Sequence, residues 1–238
     1  MPTPDSSPTS RAAGSRRRAQ HSLDGVVHGA IALLDEAGPD ALTFRALAAR
    51  LGGGVGSIYW YVSSKDELVG RAADHVLGEV SAATTLRDDA DPIDNIRTLA
   101  MAVYTAIAQR RWLGTHLMQD FGFQPHGMAL YDRIGRQLQR LPLSTRQRFH
   151  AVSAVIGYVV GVSAELDNGP ATLEEMPEDE REAFLARLRD TWRAVDPQTH
   201  PFLAEVTEEF EQHRDEELFA AGLDLLLAGL RLQASAAE

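Results

Sequence analysis

The 238-residue sequence predicts an all-α fold in two parts, an N-terminal three-helix module built on a helix-turn-helix and a larger helical C-terminal domain. Three observations predict it. Apolar residues recur at helical spacing along the chain, with no convincing strand-like alternation. Glycines, prolines and capping pairs punctuate those stripes at intervals of one helix length. One stretch, Leu42 to Leu68, places two short helices, a glycine turn and the capped start of a third in a single window.

The chain opens on residues 1–20, rich in Pro, Ser, Thr and Arg and nearly without apolar side chains, which reads as a disordered arm. Arg11, Arg16, Arg17 and Arg18 make the arm basic. It could follow a nucleic-acid backbone or enter a minor groove, but a solvated tail is the commoner outcome. The first domain spans 21–82. From Ser22 to Ala37, Leu23, Val26, Val27, Ala30, Ile31 and Leu34 form a helical stripe, ended by Gly38 and Pro39. Thr43 can cap the next helix, whose inner face carries Ala46, Leu47 and Leu51. Gly52 to Gly54 stop it, because glycine tolerates the left-handed conformation that ends a helix. A second short helix is expected over Val55–Val62, with Ile58 and Val62 inward. The motif thus covers about 43–62. Ser64 with Glu67 forms a capping box for a fourth helix to about Val80, carrying Leu68, Val69, Ala72, Ala73, Val76 and Leu77 on one side.

Residues 84–92 are a polar linker, and a second domain occupies 92–234. Pro92 suits a first helical turn, with Ile96, Leu99, Val103 and Ile107 along one face. Further helices are expected at Trp112–Gln119, closed by a turn at 121–125, and at His126–Leu141. Ser144 with Gln147 is a second capping box, opening a long helix to about Leu166 that is apolar nearly all round and therefore needs cover. Gly157 and Gly161 would let another helix approach it. An acidic loop at 167–180 precedes a helix to about Trp192, and His200-Pro201 reads as a break. The last helix, Asp215 to Leu232, is strongly apolar. Together these two long helices offer more apolar surface than one subunit can cover. A homodimer through a four-helix bundle is therefore expected, favoured over both helices being simply core.

In the central window, Thr43, Arg45, Leu47, Ala48, Leu51, Gly52, Ser57, Ile58, Tyr59, Val62, Lys65 and Leu68 stand in an order and spacing that resembles the tetracycline-repressor-like (TetR) family of transcriptional regulators. Tyr59-Trp60-Tyr61-Val62 looks like the branch containing the tetracycline repressor itself. From about 95 to 232 the resemblance continues more weakly. It implies a ligand-responsive repressor that binds a palindromic operator as a homodimer, with a small-molecule effector in the larger domain. The runner-up is a small-molecule-binding or interaction module on the same scaffold that has lost DNA readout.

The resemblance implies phosphate contacts for Thr43, Ser57, Tyr59 and Lys65, while Thr43 could be only a cap and Tyr59 only core. Arg45 suits bidentate contact with a guanine, against a surface ion pair as the plain alternative. Val55, Gly56, Trp60 and Tyr61 complete the candidate DNA contacts, with core packing the safer reading of Trp60. Positions 53, 54 and 56 are glycine where relatives usually carry helix formers, so the reading helix should be floppy in the free protein. Tyr104, Trp112, His116, Gln119, His126, Tyr131 and Tyr158 are candidate effector contacts, though aromatic residues at helical spacing are more often core.

Composition narrows the rest. There is no cysteine, and Lys65 is the only lysine. The net charge of −11 sits almost wholly beyond residue 80, since residues 1–80 hold 8 basic and 9 acidic side chains. DNA binding needs a local positive surface, not a positive total. No metal-ligand spacing, nucleotide loop or catalytic constellation is present, so neither a cofactor, a metal nor an enzyme is expected. No run reads as a membrane span, and the N-terminus does not read as a signal peptide. A cytoplasmic protein is the expectation.

Overall fold

A computed structural model describes residues 22–120, 124–168, 177–212 and 214–236. The basic arm at 1–20, the turn at 121–123, most of the acidic loop and the side chain of Gln119 lie outside the described residues. All regular structure among those described is helical. The chain divides into two compact units, Met1–Ala72 and Ala73–Glu238, and the division falls inside a helix rather than at the 84–92 linker.

In the first unit, α1 (Leu23–Ala41) begins at Ser22, whose hydroxyl accepts from the Gly25 N–H at 3.0 Å. It runs past the expected end at Ala37, but Gly38 (φ 72°) interrupts it and Pro39 lies in the turn beyond. Val26, Val27, Ala30 and Leu34 are buried, as the stripe requires, while Leu23 stays exposed. Then come α2 (Phe44–Leu51), α3 (Val55–Ile58) and α4 (Lys65–Ala83), the last continuing into the second unit. A side chain at Gly29 would meet Leu47 at 2.9 Å and Leu51 at 3.1 Å, so glycine there sets how closely α1 and α2 pack. Arg50 donates to both oxygens of Glu36 at 2.6 Å, which fastens α2 to the end of α1 and holds the Glu36 carboxyl below its usual range.

In the second unit, α5 (Pro92–Gln109) starts on Asp91, which accepts from the Ile93 N–H at 2.8 Å with Pro92 in the first turn. Next along the chain are α6 (Arg111–Asp120), α7 (Pro125–Gln139), α8 (Thr145–Asn168), α9 (Glu178–Arg193), α10 (Pro201–Gln212) and α11 (Asp215–Ser235). The second capping box is formed: Ser144 Oγ accepts from the Gln147 N–H at 3.3 Å, and Gln147 Oε1 accepts from the Ser144 N–H at 2.9 Å. The break before Pro201 is present, since residues 194–200 are not helical, but Pro201 also opens α10, a helix the sequence pattern does not show. Proline at the first helical position lacks only an amide that would have had no partner there, so it opens the helix.

Helix α8 contacts α5, α6, α7 and α11, which bury Val152, Val155, Val159 and Val160. Beyond Phe149, which is 60% exposed near the helix start, the uncovered residues are small: Ser153, Ala154 and Gly157 are exposed, the first and last of them bordering a cavity between α6, α7 and α8, and a Cβ added at Gly157 or Gly161 would meet nothing within 4 Å. Helix α11 also corrects an expectation, because by length and composition alone it is apolar enough to cross a membrane. One face of it is built into the core of the second unit. Phe219, Leu223, Leu227 and Leu230 are buried, Asp224 accepts from Arg97 at 2.6 Å, and Arg231 pairs with Asp91 and Asp94 of the α5 region. Its outer face carries Leu218, Leu225 and Leu232, seven residues apart and 57%, 78% and 72% exposed.

Candidate nucleic-acid interface and effector cavity

The helix-turn-helix is built from local chemistry. Thr43 Oγ1 accepts from the Ala46 N–H at 3.1 Å, starting α2. Gly52 ends it in the left-handed conformation (φ 71°), and the Gly53 N–H donates back to the Ala48 carbonyl at 2.9 Å. Helix α3 is only four residues, shorter than the expected Val55–Val62, and the chain leaves it through Tyr61 and Val62 N–H bonds to the Ile58 carbonyl. Ile58 and Val62 are buried as expected. Burying a side chain of that size contributes roughly 1.5–3 kcal/mol, which is what holds so short a helix against α2.

Glu67 fixes the start of α4. Ser64 Oγ accepts from the Glu67 N–H at 3.0 Å, while the carboxylate accepts from the Ser63 N–H at 2.8 Å and the Ser63 hydroxyl at 2.7 Å. Arg71 donates to the same carboxylate at 2.9 Å. The Ser63 backbone and hydroxyl bonds, then the Arg71 bond, pull the Glu67 carboxyl from 4.5 to about 2.

The candidate contacts are spread along this frame. Thr43 and Arg45 lie exposed at the start of α2, and Lys65 is the exposed first residue of α4. Tyr59 is 59% exposed and meets the Phe44 ring edge-on at 4.8 Å, which sets it beside the start of α2. Ser57 donates its hydroxyl to the Gly54 carbonyl at 2.6 Å, so it must rotate to reach a phosphate. Val55, Ser57 and Tyr61 are half-buried, whereas Gly56 is open to solvent. Trp60 departs from the safer reading: it is 88% exposed and belongs to no core. An indole left in water on the loop after the reading helix is the feature that short-range pattern could not supply, because the 3.6-residue period does not extend past Ile58.

The second unit holds a cavity of about 550 Å³, within the size range of small-molecule sites. Leu117 and Met118 of α6, Met128 and Tyr131 of α7, and Ser153, Ile156, Gly157 and Val160 of α8 line it. Of the six candidate effector contacts whose side chains are described, only Tyr131 is on this wall. Tyr104 stacks on Phe219 at 3.9 Å, and Tyr158 donates to the Phe219 carbonyl at 2.9 Å. These two tie α5 and α8 to α11, and burial pushes both phenols up. Trp112 is 5% exposed and packs inside, and His116 is half-buried on α6. His126 is held by Asp74. Sequence pattern alone does not find the two methionines or Gly157 as lining residues. A lone Met at helical spacing gives no sign of whether it faces core or cavity, and a glycine in an apolar helix signals only a point of close approach.

Family models match both halves of the chain. Residues 26–72 match the bacterial regulatory proteins of the tetR family, and residues 86–234 match the tetracyclin repressor-like C-terminal domain. The chain belongs to the TetR family. It is a DNA-binding transcriptional regulator of the helix-turn-helix class. The class D tetracycline repressor protein of Escherichia coli is 27% identical over 222 residues, 92% of this chain and 93% of that one. Among solved structures, the TetR regulator SCO7222 from Streptomyces coelicolor is 30% identical with a TM-score of 0.75, covering 90% of this chain and all of its own. ActR from the same organism, at 22% identity and a TM-score of 0.78 over 92% of this chain and 99% of its own, shares the fold.

Proposed function

We propose that this TetR-family chain is a one-component repressor whose homodimer binds a palindromic operator and releases it when a small molecule enters the α6–α7–α8 cavity. The observation that carries the reading is the Phe44–Tyr59 contact, which sets an exposed phenol beside the start of α2, where Thr43 and Arg45 are exposed; Lys65, the exposed first residue of α4, follows in the same motif. Helix N-termini with added cations hold phosphates, and exposed rings suit base edges. Thr43, Tyr59 and Lys65 take the phosphate role, with Ser57 after rotation. Arg45, Trp60 and Tyr61 take the base-facing role, and Val55 and Gly56 set how closely α3 approaches.

Naming of relatives as tetracycline repressors and as HTH-type transcriptional repressors supports repression over activation. The exposed heptad of Leu218, Leu225 and Leu232, together with the small outer face of α8, supports a dimer through these two helices. The cavity supports an effector that is largely apolar, with the Tyr131 and Ser153 hydroxyls as its polar partners. This lining gives no reason to assign tetracycline.

A salt series tests the DNA reading. Binding to the duplex upstream of the chain's own gene should weaken linearly with log salt. Lys65→Ala should flatten that slope by about 0.9 per lost phosphate contact, hence by about 2 for a dimer. Salt-independent behaviour would favour a scaffold that has lost readout, and a variant indistinguishable from its parent would count against Lys65 as a phosphate contact.

A further inference from the structure

Helix α7 separates the cavity from α4, and its two faces do different work. At 100° per residue, His126 and Arg133 lie within about 20° of each other around the helix, while Met128 and Tyr131 lie on nearly the opposite side. The cavity takes the second pair. Helix α4 takes the first.

The attachment has two ends. Helix α7 begins at Gln124, whose side chain makes no capping bond. Asp74 of α4 caps it from outside: Oδ1 accepts from the His126 N–H at 2.8 Å and the Gly127 N–H at 3.1 Å, and Oδ2 meets His126 Nδ1 at 2.9 Å. Asp74 is 8% exposed, an uncommon placement for a carboxylate. The His126 ring lies over Gly78, where a Cβ would meet it at 2.9 Å. At the other end, Arg133 of α7 donates to the carbonyls of Ser81 and Thr84 and, at 3.1 Å, to Ser81 Oγ. These carbonyls close α4, where the helix has no partners of its own to offer them. An acid of α4 therefore sits on the positive end of α7, and a base of α7 sits on the negative end of α4. Both contacts are charge-assisted and complement the helix dipoles.

We propose that Asp74 and Arg133 are positioning residues for the effector response: they latch α4 to α7, so that an occupant pressing Met128 and Tyr131 moves α4 through α7. The route rests on the reading of the cavity as the effector site. Helix α4 carries the response onward because it is covalently continuous with the motif through Lys65.

The test uses the full-length protein, its upstream duplex and a side chain as the occupant. Gly157→Trp places an indole into the cavity from α8, where the position is open. Met118→Trp does so from α6 and decides the matter if the first plug alters the particle's mass. Each plug should weaken duplex binding at least tenfold in the native background, and less than twofold when combined with Asp74→Asn or Arg133→Gln. Arg133→Gln carries the test if Asp74→Asn loses native helicity. Hydrogen exchange over 73–83 should rise at least tenfold in both latch variants. A plug effect of equal size with and without the latch overturns the latch and leaves the cavity reading standing. Plugs that leave duplex affinity untouched in the native background overturn the cavity reading and the latch with it.

Discussion

Trp60 and Gly56 are residues for which function and stability part company. Trp60 is 88% exposed, so Trp60→Ala should change the melting temperature little while weakening duplex binding at least tenfold, read by anisotropy against thermal melting. Gly56 has open space where a Cβ would sit, so Gly56→Ala should stabilise the free protein by about 0.5–1 kcal/mol through helix propensity. If hydrogen exchange finds the 55–58 amides already as protected as those of α2 in the native chain, the glycine-softened reading helix is wrong. Gly29 behaves oppositely. Its Cβ position is occupied by Leu47 and Leu51, so Gly29→Val should destabilise by roughly 1–3 kcal/mol.

Elements defined by their own termini are legible in the sequence, and those defined by neighbours are not. Thr43, Ser64–Glu67 and Ser144–Gln147 each act within three residues, and the structure forms all three caps. Pro201 misleads because proline both breaks and begins helices, and only the register of the residues after it distinguishes the two. The cavity is illegible for a different reason: its wall needs the relative rotation of α6, α7 and α8, which no one-dimensional pattern contains. Trp60 falls beyond the end of the period that would have placed it.

The α4 start also carries a pH prediction. The Glu67 carboxyl lies at about 2 when folded and near 4.5 otherwise, so its contribution is fully present above about 4.5 and is lost as pH falls towards 2. Glu67→Gln should remove that part of the acid sensitivity, seen as a flatter melting temperature between pH 4.5 and 2. An unchanged profile would show that the Ser63 contacts are absent in solution.

At the scale of the molecule, the acidic total of −11 leaves the N-terminal 80 residues almost neutral, which allows one face to meet a polyanion. The outer leucines of α11 then set stoichiometry. Leu225→Lys, at the most exposed of the three, should yield monomers in sedimentation without loss of helicity, because its side chain supports no core within the protomer. Native mass spectrometry of the parent chain on its upstream duplex tests the account most directly. Two chains per duplex, lost together as salt rises and lost entirely in Leu225→Lys, is the predicted result. A single chain per duplex, or a complex indifferent to salt, would contradict it.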